Sequence, residues 1–489
     1  MAPTELVVIR PSGEITLKAL RARRRFKATL RNNITDALRV REIDCALHMN
    51  GARIFLTTSS AKAACRVLPK VFGIKSFSLV EAQAECALAA IVKIGTDAFS
   101  DAVRGRSFAV RAKRSGHDKD RIGFTSLDVG KKLGAALNQS GRVDLSSPDV
   151  VVEVEAEIHR AIMYANRVDG AGGLPLGVQG RALTLLSGGF DSAVAAWRIM
   201  KRGVATDFLL CNLGGSAYER MVIQVAKVLS ELWAHGQRPK LFVVDFNPVV
   251  DELRNCVRET YLQIALKWQM YRIAELIAVD EGHDVIVTGE AIGQVSSQTL
   301  KNLASVDAAT KVPIIRPLIT HDKHEIIAEA EKIGTAPLSA RIREYCALSN
   351  APPVTASSAD RVISETGSLV SESLSVVAAC RTKFDLKNLD ASGLRTTYLL
   401  TDQISAKSIF VDCQPRHMFE AWHAPDAVHI DPASFMEMFR ALDKKNSYVV
   451  YCTYGTQSPY FAEMMQQSGY DAYAFRGGLS AVQKVCEKR

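Results

Sequence analysis

No two cysteines are spaced Cys-x-x-Cys, although the chain holds ten cysteines. That absence excludes zinc-ribbon and thioredoxin-type readings, whose ligand or redox pairs need two thiols side by side on one turn. No run of about 18 apolar residues occurs, so no helix long enough to span a bilayer is expected, and no membrane association. The apolar run within Met1–Arg10 is short and carries an acid, so no secretory leader is expected either. The cysteines are therefore expected to be reduced thiols in the cytoplasm, where any disulfide would be transient and catalytic rather than structural. The Walker pattern G-x-x-x-x-G-K-[ST] and the dinucleotide fingerprint G-x-G-x-x-G after a strand are both missing. Low-complexity tracts and solenoid repeats are absent too.

Of 489 residues, 47% are hydrophobic and 23% charged, which excludes wholesale disorder. The length corresponds to three or four domains. A surplus of 61 Lys and Arg over 52 Asp and Glu is modest, but it is clustered, and a local basic surface is what attracts phosphates. Lys18, Arg21, Arg23, Arg24, Arg25, Lys27 and Arg31 form one acid-free cluster. A second runs from Arg104 to Lys132 and includes Arg111, Lys113 and Arg114. Charge alone leaves open whether these are solvated faces or nucleic-acid contacts.

The pattern along the chain predicts multidomain α+β and α/β architecture. Residues 1–60 read as a small α+β unit: a strand over Glu5–Ile9, a helix over Arg21–Val40 with Phe26, Leu30, Ile34 and Leu38 on one stripe, and a strand over Arg53–Thr57. Residues 61–168 repeat the style, with a helix over Glu81–Ser100, a strand over Ser107–Lys113 and a closing hairpin of Val150–Glu155 and Ala161–Ala165. The Gly-rich stretch after Gly170 marks a boundary. From 175 to 349, short apolar strands at Ala182–Leu186, Asp207–Cys211, Leu241–Val244, Val285–Val287 and Ile314–Ile315 alternate with helices, which predicts a parallel sheet covered on both faces. Residues 350–403 read as a linker with at most one helix. Residues 404–489 form a second, smaller α/β pattern.

Ser187-Gly188-Gly189-Phe190-Asp191-Ser192 leaves the strand Ala182–Leu186 and opens a helix. Paired glycines let the backbone turn sharply, and its N–H groups with those of the helix start make a concave positive site for pyrophosphate. Asp191 repels phosphate, so its expected role is to hold Mg²⁺ against phosphate oxygens. The string resembles the PP-loop of ATP pyrophosphatases, which adenylate an oxygen and release pyrophosphate. Downstream, the segment Thr288–Thr299 begins at the C-terminal end of a strand, where ligands sit in open α/β sheets. Lys323, in His321-Asp322-Lys323-His324-Glu325, starts a helix against the macrodipole. It reads either as an exposed lysine or as one serving an anionic ligand.

Cys452 ends the strand Tyr448–Tyr451 and opens the loop Cys452-Thr-Tyr-Gly455-Thr-Gln-Ser458, which leads into a helix. Backbone N–H groups around such a thiol lower its pKa and supply thiolate near neutrality. With Asp412 and Arg476-Gly477-Gly478 at neighbouring strand ends, the loop resembles a rhodanese active-site loop, which carries sulfur as a cysteine persulfide. Cys346, in Arg343-Glu344-Tyr345-Cys346, reads on its local sequence as a core cysteine.

PP-loop, lone cysteine and rhodanese-like loop occur in that order behind a basic N-terminal third. The whole chain thereby resembles the tRNA 4-thiouridine sulfurtransferase family, ThiI. The resemblance implies an N-terminal ferredoxin-like domain over 1–60, a THUMP RNA-binding domain over 61–168, a PP-loop domain over 175–349 and a rhodanese domain over 404–489. It implies that ATP with Mg²⁺ adenylates the C4 oxygen of uridine 8 in tRNA. A cysteine desulfurase would load sulfur onto Cys452, the persulfide would attack the activated carbon, and Cys346 would close a disulfide with Cys452. ATP contacts are implied at Leu185, Leu186, Ser187, Gly188, Gly189, Ser192, Lys267, Gly289 and Gln298, with Asp191 and Lys323 serving the adenylation step. Arg21, Arg23, Arg24, Arg25, Lys27, Arg111, Lys113 and Arg114 would face RNA. The family also supplies sulfur for the thiazole of thiamine, so a sulfur-carrier protein and a second copy of the chain join tRNA and the desulfurase as expected partners. Two other readings stand beside this one: a sulfur carrier serving mainly thiazole synthesis, and an RNA-binding protein with a degenerate catalytic domain.

Overall fold

Leu6, Val7, Val8 and Ile9 are an unbroken apolar run, and such a run makes a strand buried on both faces. The computed structural model has that strand at Glu5–Pro11. It describes residues 5–51, 53–115, 119–342, 351–366, 371–389, 399–401, 404, 408–453, 455 and 457–487. The chain divides into two compact units: Met1–Gln179 with Met200–Val204 and Trp233–Gln237, and the remainder.

In the first unit, Glu5–Pro11 pairs antiparallel with Arg53–Thr58 and Ile74–Leu79. Ala46–Asn50 and Val168–Asp169 complete the five-stranded sheet at its two edges. The helix Leu20–Arg39 buries Phe26, Leu30, Ile34 and Leu38 in the core beneath it, the stripe expected from the spacing. The expected division at residue 60 falls inside this fold. The helix Ala61–Val67 buries Ala61, Ala64 and Val67 in the same core, so the first fold runs to Leu79. A second sheet has the order Ala82–Ala84, Arg160–Tyr164, Val150–Glu157, Ser107–Arg114, Arg142–Val143, with helices Leu88–Val103 and Ser126–Leu137 in its core. The helix expected from Glu81 starts instead at Leu88, because Ala82–Ala84 pairs as an edge strand with Ala161–Met163. Pairing across a sheet here overrides local helix preference.

Glu155 sits only 3% exposed between these two sheets. Arg53 donates to it at 3.3 Å, Lys113 lies at 3.0 Å and the Tyr164 hydroxyl donates at 2.6 Å. Arg10, also buried, stacks over the Tyr164 ring at 4.7 Å and lies 3.6 Å from Glu155. Lys113, expected to face RNA, is thus committed to an internal carboxylate.

In the second unit the sheet order is Ile314–Ile315, Val285–Val287, Arg181–Leu185, Ala205–Asn212, Lys240–Asp245, Thr382–Asp385. The first five strands are parallel, as the alternation predicted. Thr382–Asp385 joins antiparallel at the edge, so within the linker expected over 350–403 the described residues between 359 and 385 belong to this fold. Helices Ala359–Thr366 and Ser371–Ala379 precede that strand and bury Val362 and Leu374. The apolar residues of this segment have weak periodicity in the sequence, and its order comes from packing on the core of the sheet. A smaller, all-parallel sheet follows: Leu400–Thr401, Asp471–Phe475, Ser447–Tyr451, Ile409–Asp412, Val428–His429. Leu399 is in its core, so this fold begins ahead of residue 404.

Burial pushes the Glu155 carboxyl up, but Tyr164, Arg53 and Lys113 outweigh it and hold its pKa at about 2 against an ordinary 4.5. A depressed carboxylate stabilises the fold above its unfolded pKa and loses that contribution as pH falls from there toward the folded value. Glu155→Gln should therefore cost the first unit about 3 kcal/mol near neutrality by leaving buried Arg10 uncompensated. The deficit should shrink between pH 4.5 and 2. Calorimetry of the full chain checks this; a trace identical to the parent at pH 7 would refute it.

Candidate active site

Two loops meet at the C-terminal edge of the parallel sheet. Chain connections from Arg181–Leu185 run to one side of the sheet, and Val285–Val287 returns to the other. A crevice forms at such a switch point. The Ser187–Ser192 loop fills one side. Gly188 has φ +78°, a left-handed conformation, and a Cβ there would lie 2.6 Å from Ile342 Cδ1. The Ser187 N–H and hydroxyl both meet Ser192 Oγ at 3.2 Å, and Ser192 donates to the Gly189 carbonyl at 3.2 Å. The helix Phe190–Lys201 follows directly and points its N-terminus at the loop. On the other side, a Cβ on Gly289 would lie 2.6 Å from Asp191 C and 2.7 Å from Ser192 N. Glycine is required there for the close approach of two backbones.

Leu185, Leu186, Ser187, Asp191, Ser192, Lys267, Gly289 and Gln298, all singled out from the sequence, line one cavity of about 470 Å³. Its walls are graded. Leu209, Leu266 and Met270 join Leu185 on the apolar side, while the serines and Asp191 make the polar end. That grading suits a ligand with a flat apolar head and an anionic tail.

Lys323 Nζ sits 2.9 and 2.8 Å from the two Asp191 carboxylate oxygens, and Gln294 Nε2 donates to the same group at 2.9 Å. The string around Lys323 is a capping box: Asp322 accepts from Glu325 N–H at 3.0 Å and Glu325 accepts from Asp322 N–H at 3.2 Å. The acids satisfy the helix start, and Asp191 compensates the lysine, so its unfavourable place on the macrodipole is offset. Among the described residues no group of three His, Cys, Asp or Glu side chains could hold a metal ion. The donor set fits magnesium only as one carboxylate beside ligand phosphates and water, the usual way Mg²⁺ is held in phosphoryl sites.

Glu290 was not assigned a role from sequence and is central. Lys267 Nζ lies 2.7 Å from its Oε1, while Arg316 Nε at 2.8 Å and Thr288 Oγ1 at 3.1 Å meet its Oε2, as does the Tyr271 hydroxyl. Burial raises the carboxyl, yet Lys267 and Arg316 hold it at about 2. Lys267 and Tyr271 lie four residues apart on the helix Leu262–Glu281, so they share a face; that spacing was the signal available. Tyr218, likewise missed, donates to the Ser187 carbonyl at 2.9 Å.

Cys452 lies at the end of Ser447–Tyr451, 4% exposed. The Gln457 N–H donates to its sulfur at 3.3 Å and the Ser458 hydroxyl lies at 3.8 Å. Gly455, at φ +68°, would bring a Cβ to 2.9 Å from Gly478 N, so the loop closes tightly on the Arg476-Gly477-Gly478 turn. The neighbouring Cys413 thiol favours the Cys452 thiolate most, burial opposes it, and the Gln457 and Ser458 amides add to the first effect; together they lower the pKa to about 5. Cys346 lies outside the described residues.

Arg21, Arg24, Arg25 and Arg111 are exposed, while Arg23, Lys27, Lys113 and Arg114 are half-buried. Several have internal acceptors: Arg25 the Val178 carbonyl at 3.2 Å, Lys27 that of Gly51 at 2.6 Å, Arg114 that of Ile122 at 3.4 Å. No helix among the described residues is long and apolar enough to cross a membrane.

Fold and site define a nucleotide-cavity α/β fold joined to a rhodanese-like fold and preceded by two α+β sheets. Family models agree. The ThiI ferredoxin-like domain matches residues 6–78, the THUMP domain 88–166, the thiamine biosynthesis protein (ThiI) family 177–370 and the rhodanese-like domain 396–485. The tRNA sulfurtransferase of Desulfurococcus amylolyticus is 38% identical over 99% of both chains, and that of Pyrobaculum aerophilum 35% identical over 98% of both. The crystal structure of a 4-thiouridine synthetase–RNA complex with bound ATP superposes with a TM-score of 0.69 at 29% identity, covering 78% of this chain and 99% of that one. The chain belongs to the tRNA sulfurtransferase family, ThiI.

The geometry carries two predictions. Gly289→Ala forces a methyl into the Asp191 backbone, and overpacking of this kind costs about 1–3 kcal/mol. Thermal unfolding of the full chain, followed by calorimetry, should show this loss; a trace identical to the parent would refute the close-approach argument. Alkylation of Cys452 by iodoacetamide should reach half its maximal rate near pH 5 and be flat above neutrality. A midpoint near the usual thiol value of 9.0 would refute the loop's effect.

Proposed function

We propose that the chain is an ATP-dependent tRNA sulfurtransferase that makes 4-thiouridine at position 8 of tRNA. The observation that carries this reading is the occurrence in one compact unit of two things: a graded cavity ending in the Ser187–Ser192 loop with its Asp191–Lys323 pair, and a cysteine held as thiolate. The name and bound ligands of the relatives agree with it.

In this reading the apolar wall of Leu185, Leu209, Leu266 and Met270 takes the adenine, and the loop amides with the helix start take the phosphates. Lys323 leaves Asp191 for the anionic α-phosphate as the uridine C4 oxygen attacks, and pyrophosphate departs. Asp191 would hold magnesium there, which would supply charge neutralisation. Glu290 fixes Lys267, Tyr271 and Arg316 and so keeps the cavity wall rigid. Adenylation matters because an amide-like oxygen leaves poorly and AMP leaves well. A cysteine desulfurase supplies the outer sulfur of a persulfide on Cys452, which displaces AMP from C4. Cys346 then attacks Cys452, forming a disulfide and freeing the thiolated base, and a dithiol reductant resets the pair. Tethered sulfur keeps hydrosulfide from being lost to solution.

The basic clusters of the first unit serve as the tRNA surface, through phosphates and shape, with Arg21, Arg24, Arg25 and Arg111 as its exposed members. A second role, sulfur supply for the thiazole of thiamine through a sulfur-carrier protein, is favoured by the family description that matches 177–370.

Mass analysis of tRNA after incubation with ATP, Mg²⁺, a desulfurase and cysteine tests the reading. Asp191→Asn and Lys323→Met should each lower 4-thiouridine formation about 100-fold, the scale of removing a preorganised charge, with tRNA binding intact. Cys452→Ser should give no product, and Cys346→Ser should stop at or before one turnover. Normal turnover by Cys346→Ser would remove the disulfide step, and unmodified tRNA with the parent protein would remove the function.

A further inference from the structure

Cys413 favours the Cys452 thiolate but carries no sulfur in the chemistry above. It follows Asp412 as Cys452 follows Tyr451, and Asp412 and Tyr451 are register partners on adjacent parallel strands. The Cys413 N–H donates to the Tyr451 carbonyl at 3.0 Å, and its thiol donates to the same carbonyl at 2.9 Å. That carbonyl belongs to the peptide bond leading into Cys452. Adjacent strands lie about 4.8 Å apart, within the roughly 4.4–6.8 Å between Cα atoms that a disulfide requires. Both side chains belong to one core cluster. Cys413 is fully buried, and Cys452 beside it is 4% exposed. A thiol so placed is shielded from reagents in solution.

We propose that Cys413 is a resolving thiol within the C-terminal fold, able to unload the Cys452 persulfide by closing a Cys413–Cys452 disulfide. The step rests on the sulfurtransferase reading. The Cys413 sulfur attacks Cys452 Sγ, the Sγ–Sγ bond forms, and the bond from Cys452 Sγ to the outer sulfur breaks. The outer sulfur takes the electron pair of that bond and the Cys413 proton and leaves as hydrogen sulfide. Cys413 is oxidised and the outer sulfur reduced, so no external oxidant enters. Such exchange proceeds by attack of a thiolate on a bonded sulfur, so the Cys413 proton passes to the persulfide's outer sulfur as the attack begins. A dithiol reductant restores both thiols. The fold can thus discharge sulfur without Cys346, releasing hydrosulfide when no activated tRNA accepts it.

The test uses the full chain carrying Cys346→Ser, loaded by a desulfurase and cysteine and then desalted free of small thiols, without ATP or tRNA. We expect about one equivalent of sulfide per loaded chain and a linked Cys413–Cys452 peptide by mass spectrometry. Adding Cys413→Ser or Cys413→Ala should leave the persulfide in place and lower sulfide release at least tenfold. Equal release with and without Cys413 would overturn the proposal. A parallel arm oxidises the unloaded Cys346→Ser chain with diamide, which requires no sulfur transfer; the same linked peptide is expected, and two free thiols would overturn the pairing. If diamide links the pair but no variant ever accepts sulfur on Cys452, the sulfurtransferase reading fails and takes this step with it. A loaded Cys452 that never links to Cys413 sinks this step alone.

Discussion

Two backbones touching at Gly289 and Asp191 set the terms for everything built around the nucleotide cavity. A parallel sheet brings the C-terminal ends of Arg181–Leu185 and Val285–Val287 side by side, and the loops leaving them compete for one crevice. Only a residue without a Cβ lets the second loop settle on the first. Once it does, Gln294 reaches Asp191, Glu290 reaches Lys267, and the cavity acquires its polar end. The side chains of the site are consequences of that contact more than causes of it.

Glu155, Glu290 and Cys452 are held far from their ordinary behaviour by two kinds of balance. Glu155 and Glu290 are buried acids kept ionised by surrounding cations, which makes each one a structural tie as well as a charge. Cys452 is kept ionised mostly without cations, by a thiol and two amides. A thiolate stabilised by hydrogen bonds alone keeps its charge when the surrounding salt changes, because short contacts are screened little. The Lys323–Asp191 pair, by contrast, has its lysine 44% exposed, open to screening.

Much of this was legible in residue order. Paired glycines after an apolar strand located the phosphate loop, and a cysteine at a strand end before a glycine located the second loop, because both motifs depend on local backbone geometry. The parallel sheet followed from the alternation of short apolar runs with helices. What failed to show were features that exist only through partners distant in sequence. Ala82–Ala84 reads as helix until Ala161–Met163 lies beside it. Thr382–Asp385 has little to mark it until Lys240–Asp245 offers an open edge. Lys113 looks like a surface cation until Glu155 is found beneath it. Glu290 stood in a quoted segment without a role, since three of its four basic and hydroxylic partners, Lys267, Tyr271 and Arg316, come from elsewhere in the chain.

The helix Gly215–Trp233 has a mechanical consequence. Near its start, Tyr218 grips the Ser187 carbonyl of the phosphate loop. Two residues on, Arg220 forms an ion pair at 3.2 Å with Glu463, which is 5% exposed and lies on the helix that begins where the Cys452 loop ends. Parting a buried pair is costly, so the rod cannot slip against the cysteine helix without breaking it. One helix therefore touches both elements, and a displacement of a single helical rise, about 1.5 Å, is registered at the Ser187 carbonyl and at the helix after Cys452 together.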